Sequence, residues 1–215
     1  MDNSVSPAPV GTPRARRGVR REEIAAAAAG LFARRGFHGV SIDDIGAAAG
    51  MSGPGIYRHF PGKEAVLSEM LLDISRQLLG EGSRRAIDAA DAPSALEALL
   101  RWHVGFALGQ PDLITVQTRE LDNVPEPARR QIRRLQRVYV EEWVTVLSEM
   151  FPLALQARLR TAVHAMFGLL NSTPHSAVEL PVESMSELLF TMARSALLAA
   201  AQPVDAEAPP EGLPG

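Results

Sequence analysis

At 215 residues and 23.1 kDa, the chain is long enough to bury a sizeable core, as one large or two small domains. Its 46% hydrophobic content is rich in Ala and Leu and poor in aromatic residues, which favours a helical soluble protein; the absence of cysteine excludes disulfides, thiolate metal sites and thiol nucleophiles. No apolar run reaches the roughly 18 to 20 residues that span a bilayer, and no apolar segment follows the Arg- and Pro-containing amino terminus as in a secretory signal. A cytoplasmic protein without membrane contact is expected. The net charge of −3 is unevenly spread, with nine Lys or Arg against five Asp or Glu from Met1 to Lys63 and thirteen against twenty beyond. A basic amino-terminal segment on an acidic body suits a DNA reader joined to a domain that does not bind DNA, although a solvated basic tail has the same composition.

Residues 1–19 and 202–215 are Pro-rich without hydrophobic period and read as disordered tails, the first Arg-rich and the second acidic. Ile24, Ala27, Ala28, Leu31 and Phe32 keep the i, i+3, i+4, i+7, i+8 spacing of an amphipathic helix that stops at Gly36. "SIDDIGAAAG" predicts a helix of barely two turns, with Ser41 as N-cap, Asp43 and Asp44 favouring the helix dipole, and Gly50 closing it. Ser52 caps a further short helix in which Pro54 sits in the first turn, where its missing N–H is not needed. Pro61 and Gly62 end that helix. A longer one follows from Lys63 to about Gly80, then five more at about Ala95 to Leu108, Pro111 to Glu120, Pro127 to Phe151, Leu155 to Leu170 and Glu183 to Ala200. The expected fold is all-α, of about nine helices.

Two short helices joined by a Gly-containing turn and braced by a longer one form a helix-turn-helix unit. Ile42, Ile45, Ala49, Ile56 and Phe60, with Leu31, Phe32 and Phe37, supply its core. Ile56 and Phe60, at i and i+4, face inward and leave Gly53, Pro54, Tyr57 and Arg58 for a DNA groove. Gly53 and Gly55 permit close approach; Arg58 can reach guanine or phosphate; Tyr57 offers a hydroxyl to phosphate and a ring to a thymine methyl. Lys63, the only lysine, stands at a helix start where it and the backbone N–H groups can clamp a phosphate, as can Ser41 and Ser52, with His59 adding a contact. Arg14 to Arg21 can run along the backbone or enter the minor groove. Singly, Ser41 and Ser52 are accounted for as caps and Tyr57 as packing; the combination points to DNA.

The stretch from residue 24 to 67 resembles the TetR-type transcriptional repressors: a helix ending in LF and a G-F turn, S-I-D-D-I, the A-G-M-S turn, and Y-x-H-F-x-x-K-E. The resemblance implies a three-helix DNA-binding domain over residues 20–66, a ligand-binding and dimerisation domain over 67–201, and a homodimer whose DNA affinity falls when a small molecule binds. It places DNA contacts on Ser41, Ser52, Gly53, Tyr57, His59 and Lys63. Pro54 and Arg58 depart from the residues usual at their positions, so the operator sequence is not transferable from other members.

In the carboxy-terminal part, Ile132, Leu135, Tyr139, Trp143, Val146 and Met150 form one stripe, and Trp102 and Phe106 another. Such stripes are ordinarily core. Trp102, Phe106, Tyr139, Trp143, Met166 and Phe167 are candidates to line an apolar effector cavity, and His103, Gln117, Arg119, Glu120, His164 and Asn171 to orient the ligand. Arg130, Arg133, Arg134 and Arg137 make a cationic stripe, either a solvated face or an anion site at the pocket mouth that would suit an acyl-coenzyme A. The last two helices carry Leu155, Leu159, Val163, Met166 and Leu170, then Met185, Leu188, Leu189, Met192 and Ala196. Small residues between them (Ala162, Ala165, Gly168, Ala193, Ala199) suit pairing with a second copy across a two-fold axis. No nucleophile elbow, nucleotide loop or paired-His motif occurs, so neither catalysis nor a cofactor is expected. A ligand-independent DNA-binding protein and a transcriptional activator are the alternatives to an effector-released repressor.

Overall fold

The structure, a computed structural model, describes residues 13–176 and 180–201, and every regular element among them is helical. Of the tails expected over residues 1–19 and 202–215, residues 1–12 and 202–215 lie outside the described residues, and 13–19 are helical. Those up to Leu72, with Thr115–Arg129, form one compact unit; Asp73–Ile114, with those from Arg130 onward, form the other. The first unit therefore passes the boundary expected at residue 66 and takes in a second segment of chain. Among the described residues no helix is long and apolar enough to cross a membrane.

In the first unit, α1 (Pro13–Arg35) begins six residues earlier than Val19, because Pro13 costs nothing in a first turn and the arginines after it are good helix formers. Its Ile24, Ala28, Leu31 and Phe32 are buried, and Phe37 and Val40 follow after Gly36, whose φ of 71° turns the chain. α2 (Ile42–Ala48) carries a complete capping box. Asp44 N–H donates to Ser41 Oγ at 3.1 Å while Asp44 Oδ2 accepts from Ser41 N at 2.9 Å. These bonds hold the Asp44 carboxyl below its ordinary pKa. In α3 (Gly53–Ile56), Ser52 occupies the N-cap position but its side chain makes no capping bond, contrary to expectation. Ile45, Ile56 and Phe60 close the core at 0% exposure, with Ile42 and Ala49 half-buried.

α4 (Lys63–Asp88) divides between the units, as do α6 (Pro111–Glu120) and α7 (Glu126–Met150). The 3-10 turn Leu121–Asn123, in the first unit, was not expected. α4 runs eight residues beyond Gly80, through a turn in which Glu81 pairs with Arg84 and Arg85, and Arg84 with Asp88, at i, i+3 and i, i+4. In the second unit, α5 (Ala92–Gly109) is capped by Asp91, whose Oδ1 accepts from Ser94 N at 2.8 Å. α8 (Gln156–Leu170) and α10 (Val182–Ala201) pack on one another and on α5. The short α9 (Thr173–Ser176), also unexpected, is tied down by Thr173 Oγ1 donating to Ala107 O at 2.8 Å. Leu96, Leu99, Leu100, Trp143, Leu147 and Leu159 lie at the centre of this unit.

Two glycines one turn fraction apart on α4 have opposite environments. A Cβ at Gly80 would meet nothing within 4 Å, whereas one at Gly82 would lie 2.6 Å from Tyr139 Cε2 and 3.4 Å from Leu99 Cδ2. Gly80→Ala is expected to stabilise the protein by up to about 1 kcal/mol through helix propensity. Gly82→Ala is expected to destabilise it by about 1 to 3 kcal/mol through overpacking against the tyrosine ring. Urea denaturation of the two variants beside the parent reads both signs.

Candidate DNA interface and effector cluster

The local rules that bury Gly53, Ile56 and Phe60 turn Pro54, Tyr57 and Arg58 outward. Tyr57 is 59% exposed, unusual for a large aromatic ring. Ser41 and Ser52 are also exposed at their helix starts. Of the expected set, Ser41, Ser52, Pro54, Tyr57 and Arg58 are thus exposed and His59 half-buried, with three changes in how the remaining groups are held. Gly53 packs against α2: a Cβ there would fall 1.7 Å from Asp43 Oδ1, so a larger residue would have to displace the exposed Asp43 carboxylate. Lys63 is anchored: its Nζ donates to Phe37 O and Val40 O, each at 2.9 Å, and sits 4.5 Å from the Phe37 ring centroid. Two of the three ammonium donors expected for a phosphate are engaged by the turn after α1.

The third change concerns the arginines expected to reach DNA as a tail. Arg17 Nη2 donates to Arg58 O at 3.1 Å, Arg20 Nη2 to Ala49 O at 3.1 Å, and Arg21 Nη1 to His59 O. All three lie on α1, and all three reach carbonyls where a short helix ends. His59, half-buried beside them, has a buried Nδ1 without a hydrogen-bond partner. Burial, then the charges of Arg17, Arg20, Arg21 and Arg58, hold its imidazole below the ordinary value.

The second unit gathers five rings from three helices: His103 and Phe106 on α5, Tyr139 and Trp143 on α7, and Phe167 on α8. Phe167 lies 4.7 Å from His103, 5.4 Å from Trp143 and 5.6 Å, stacked, from Tyr139. A polar chain threads them. His103 Nε2 lies 3.3 Å from Asn171 Oδ1, and His103 Nδ1 lies 3.4 Å from Tyr139 Oη. With Nε2–H donating to the amide oxygen and the Tyr139 hydroxyl donating to Nδ1, both long bonds belong to a neutral imidazole. Burial pushes His103 from 6.5 down to about 4, outweighing the Asn171 bond, and pushes the Tyr139 phenol up.

Of the other expected effector residues, Met166 is buried on α8 beside Phe167. Trp102 stands outside the ring contacts, with the Arg85 guanidinium 4.5 Å from its centroid and its Nε1 buried without a partner. Arg119 does not join the cluster. It is exposed and, with Gln117 and Glu120, belongs to the first unit, because that unit takes over α6 from Thr115. Glu120 is buried there and accepts from Asn123 Nδ2 at 2.8 Å.

His164 is exposed and lines a surface cleft of about 390 Å³ with Arg133, Gln136, Arg137, Val140, Glu141 and Arg160. Arg160 grips Glu141 with Nε to Oε1 at 2.6 Å and Nη2 to Oε2 at 2.8 Å, a bidentate pair that joins α8 to α7. Two of the four stripe arginines, Arg133 and Arg137, thus line a concavity. Gln136, Val140, Glu141 and Arg160 were not foreseen, since nothing in the spacing of Glu141 and Arg160 signals that their helices adjoin.

Residues 24–70 match the model of bacterial regulatory proteins of the tetR family, and residues 89–175 that of the tetracyclin repressor-like C-terminal domain. The chain belongs to the TetR family of transcriptional regulators. It is 36% identical over 81 residues to the HTH-type transcriptional repressor KstR2 of Rhodococcus jostii, covering 38% of this chain and 40% of that protein. Over 139 residues it is 26% identical to KstR2 of Mycolicibacterium smegmatis, covering 60% and 64%. The matches thus span less than two thirds of these relatives. A TetR-family regulator from Bordetella parapertussis superposes with a TM-score of 0.73 at 23% identity, covering 83% of this chain and 96% of that one. AibR, in complex with isovaleryl coenzyme A and operator DNA, superposes at 0.66 with 20% identity, covering 80% and 97%.

The depressed His103 pKa has a signed consequence. The unfolded state binds a proton near pH 6.5 and the folded state only near pH 4, so stability is full above 6.5 and falls as pH drops towards 4, by about 1.4 kcal/mol per unit. Urea denaturation at several pH values is expected to give His103→Gln a shallower acid-side loss than the parent by that slope.

Proposed function

We propose that the protein is a homodimeric transcriptional repressor that reads a palindromic operator through α2 and α3 and releases it when an acyl-coenzyme A, or another hydrophobic metabolite, binds the second unit. The observation that carries the DNA reading is the outward face of α3, where Tyr57 and Arg58 stand exposed over a buried Gly53, Ile56 and Phe60. Phosphate contacts from Ser41, Ser52 and the remaining donor of Lys63 would set register, and Tyr57 and Arg58 would read base edges. The repressor names of the relatives and the operator bound to AibR support this reading. Such a regulator acts where the chromosome is, in the cytoplasm.

The effector reading rests on adjacency. Tyr139 of the ring cluster precedes Val140 of the cleft, and His164 of the cleft lies three residues before Phe167, so the two features neighbour one another along α7 and α8. A ligand with an apolar part and an anionic end matches rings beside Arg133 and Arg137, and the isovaleryl coenzyme A held by AibR is of that kind. For the dimer, α8 and α10 have the needed surface. Leu159, Val163, Met166, Leu170, Met185, Leu189 and Ala193 are buried within the protomer, while Leu188 and Met192 remain 44% and 46% exposed beside the exposed Ala196 and Ala199. Ala165 and Gly168 are exposed on α8 and allow close approach. Two recognition helices about 34 to 36 Å apart then meet successive major grooves.

The test is enrichment of sheared genomic DNA on the purified protein, with Tyr57→Ala alongside, followed by challenge with acyl-coenzyme A species. Recovery of one or a few palindromes, lost in the variant and eluted by an acyl-coenzyme A, is the expected result. Unspecific retention by both proteins after ligand stripping would overturn the DNA reading; specific retention indifferent to every acyl-coenzyme A would overturn the effector class. Sedimentation at micromolar concentration is expected to give a dimer for the parent and a monomer for Met192→Glu.

A further inference from the structure

The recognition element is too weak to hold itself. α3 is four residues long and contains two glycines and a proline, and a helix so short has no cooperative stability of its own. Beyond Ile56 the chain makes one further turn, with His59 N donating to Ile56 O at 2.8 Å and Phe60 N to the same oxygen at 2.9 Å. Such an end leaves carbonyls pointing onward without amide partners. Here the orphan carbonyls of Arg58 and His59 are met from α1, by Arg17 and Arg21. Arg20, between them, does the same for Ala49, the C-cap residue of α2. Cations at helix C-termini also suit the helix dipole.

Arg21 is itself fixed on three sides. Its Nε donates to Glu69 Oε1 at 2.7 Å, its Nη2 pairs with Glu69 Oε2, and its guanidinium lies 4.2 Å from the Phe60 ring centroid. A rigid fork so placed transmits the position of α1 and α4 to the carbonyl of His59. Arg20 is likewise paired, with Glu23 at 2.6 Å. The guanidiniums of Arg17, Arg20 and Arg21 thus face the protein's own backbone, while Tyr57 and Arg58, after α3, face outward.

We propose that Arg17 and Arg21 are positioning residues for operator recognition: by holding the Arg58 and His59 carbonyls they aim the Tyr57 and Arg58 side chains, and they do not themselves bind phosphate. The inference rests on the DNA reading above. It separates two kinds of arginine that charge alone makes equivalent. A phosphate-binding arginine contributes about 0.9 to the slope of log affinity against log salt, and a positioning arginine contributes nothing to it. Loss of aim lowers affinity for the operator and leaves unspecific DNA binding unchanged, since only base contacts depend on it.

The experiment measures fluorescence anisotropy of the enriched operator and of an unrelated duplex, across a salt series, with the parent, Arg17→Gln, Arg21→Gln, Arg21→Lys and Arg58→Gln. Thermal denaturation of each confirms that it is folded at the assay temperature. For Arg17→Gln the expected result is an operator affinity about tenfold or more lower, an unchanged salt slope and unchanged affinity for the unrelated duplex. Arg21→Lys, which keeps one donor and the charge, is expected to recover part of what Arg21→Gln loses, and Arg58→Gln, which removes a base contact, to lower operator affinity and leave that for the unrelated duplex unchanged. A slope reduced by about one in Arg17→Gln would make it a phosphate ligand and overturn the proposal. Unchanged affinity, or a loss accounted for by unfolding, would overturn it too. If Arg21→Gln does not fold, Arg17→Gln carries the test alone. If the parent enriches no operator, the DNA reading fails before this comparison is reached.

Discussion

The DNA-reading unit depends on the burial of one short apolar pair. Ile56 and Phe60, both at 0% exposure, are the buried side chains of a glycine- and proline-containing turn that packs on α2, with Arg21 of α1 over the Phe60 ring. Without them α3 has neither the length nor the propensity to persist in water. Their burial settles which residues remain outside: Pro54, Tyr57 and Arg58 face solvent because 53, 56 and 60 cannot. Polar bonds then refine what hydrophobic packing sets coarsely. The Ser41–Asp44 capping box fixes the start of α2, Lys63 ties the turn after α1 to the start of α4, and the α1 arginines finish both short helices.

The second unit is organised on a different balance. Five rings within 6.3 Å of His103 or of one another exclude water, and the same exclusion makes a neutral imidazole the stable form. A polar chain of Asn171, His103 and Tyr139 inside an aromatic cluster costs stability unless each partner is satisfied, and its bonds of 3.3 and 3.4 Å leave it weakly so.

The helix-turn-helix was largely legible from residue order because its signals are local. Ser41 with Asp44, Gly36, Gly50 and the i, i+4 pair of Ile56 and Phe60 each act within a few residues, and the structure places them as their chemistry requires. The family motifs between residues 24 and 67 carried the rest, and the matched models agree with them. Long-range contacts were not legible. Lys63 reaches carbonyls 23 and 26 residues back, Arg17 one 41 residues ahead, and no periodicity announces a charged side chain's preference for a backbone oxygen over a phosphate. The place of Arg119 was not legible for a related reason: its position beside apolar helices gives no sign that α6 divides at Thr115 and carries it into the first unit. His103, Tyr139, Trp143, Phe167 and Asn171 were foreseen as candidates because rings and amides on apolar stripes stand out. Their union in one cluster follows from the packing of α5, α7 and α8.

All but one of the chain's 22 Lys and Arg residues are arginine, and the exception has its ammonium pinned between two carbonyl oxygens. A guanidinium keeps its proton at any pH a cell reaches. The positive charge that its guanidiniums can present to a polyanion is therefore constant in number, untouched by alkaline shifts that would begin to discharge a lysine-coated surface. Acyl transfer to side-chain amines, a common way of neutralising such surfaces, has a single target here. That target is already holding a turn of the protein in place.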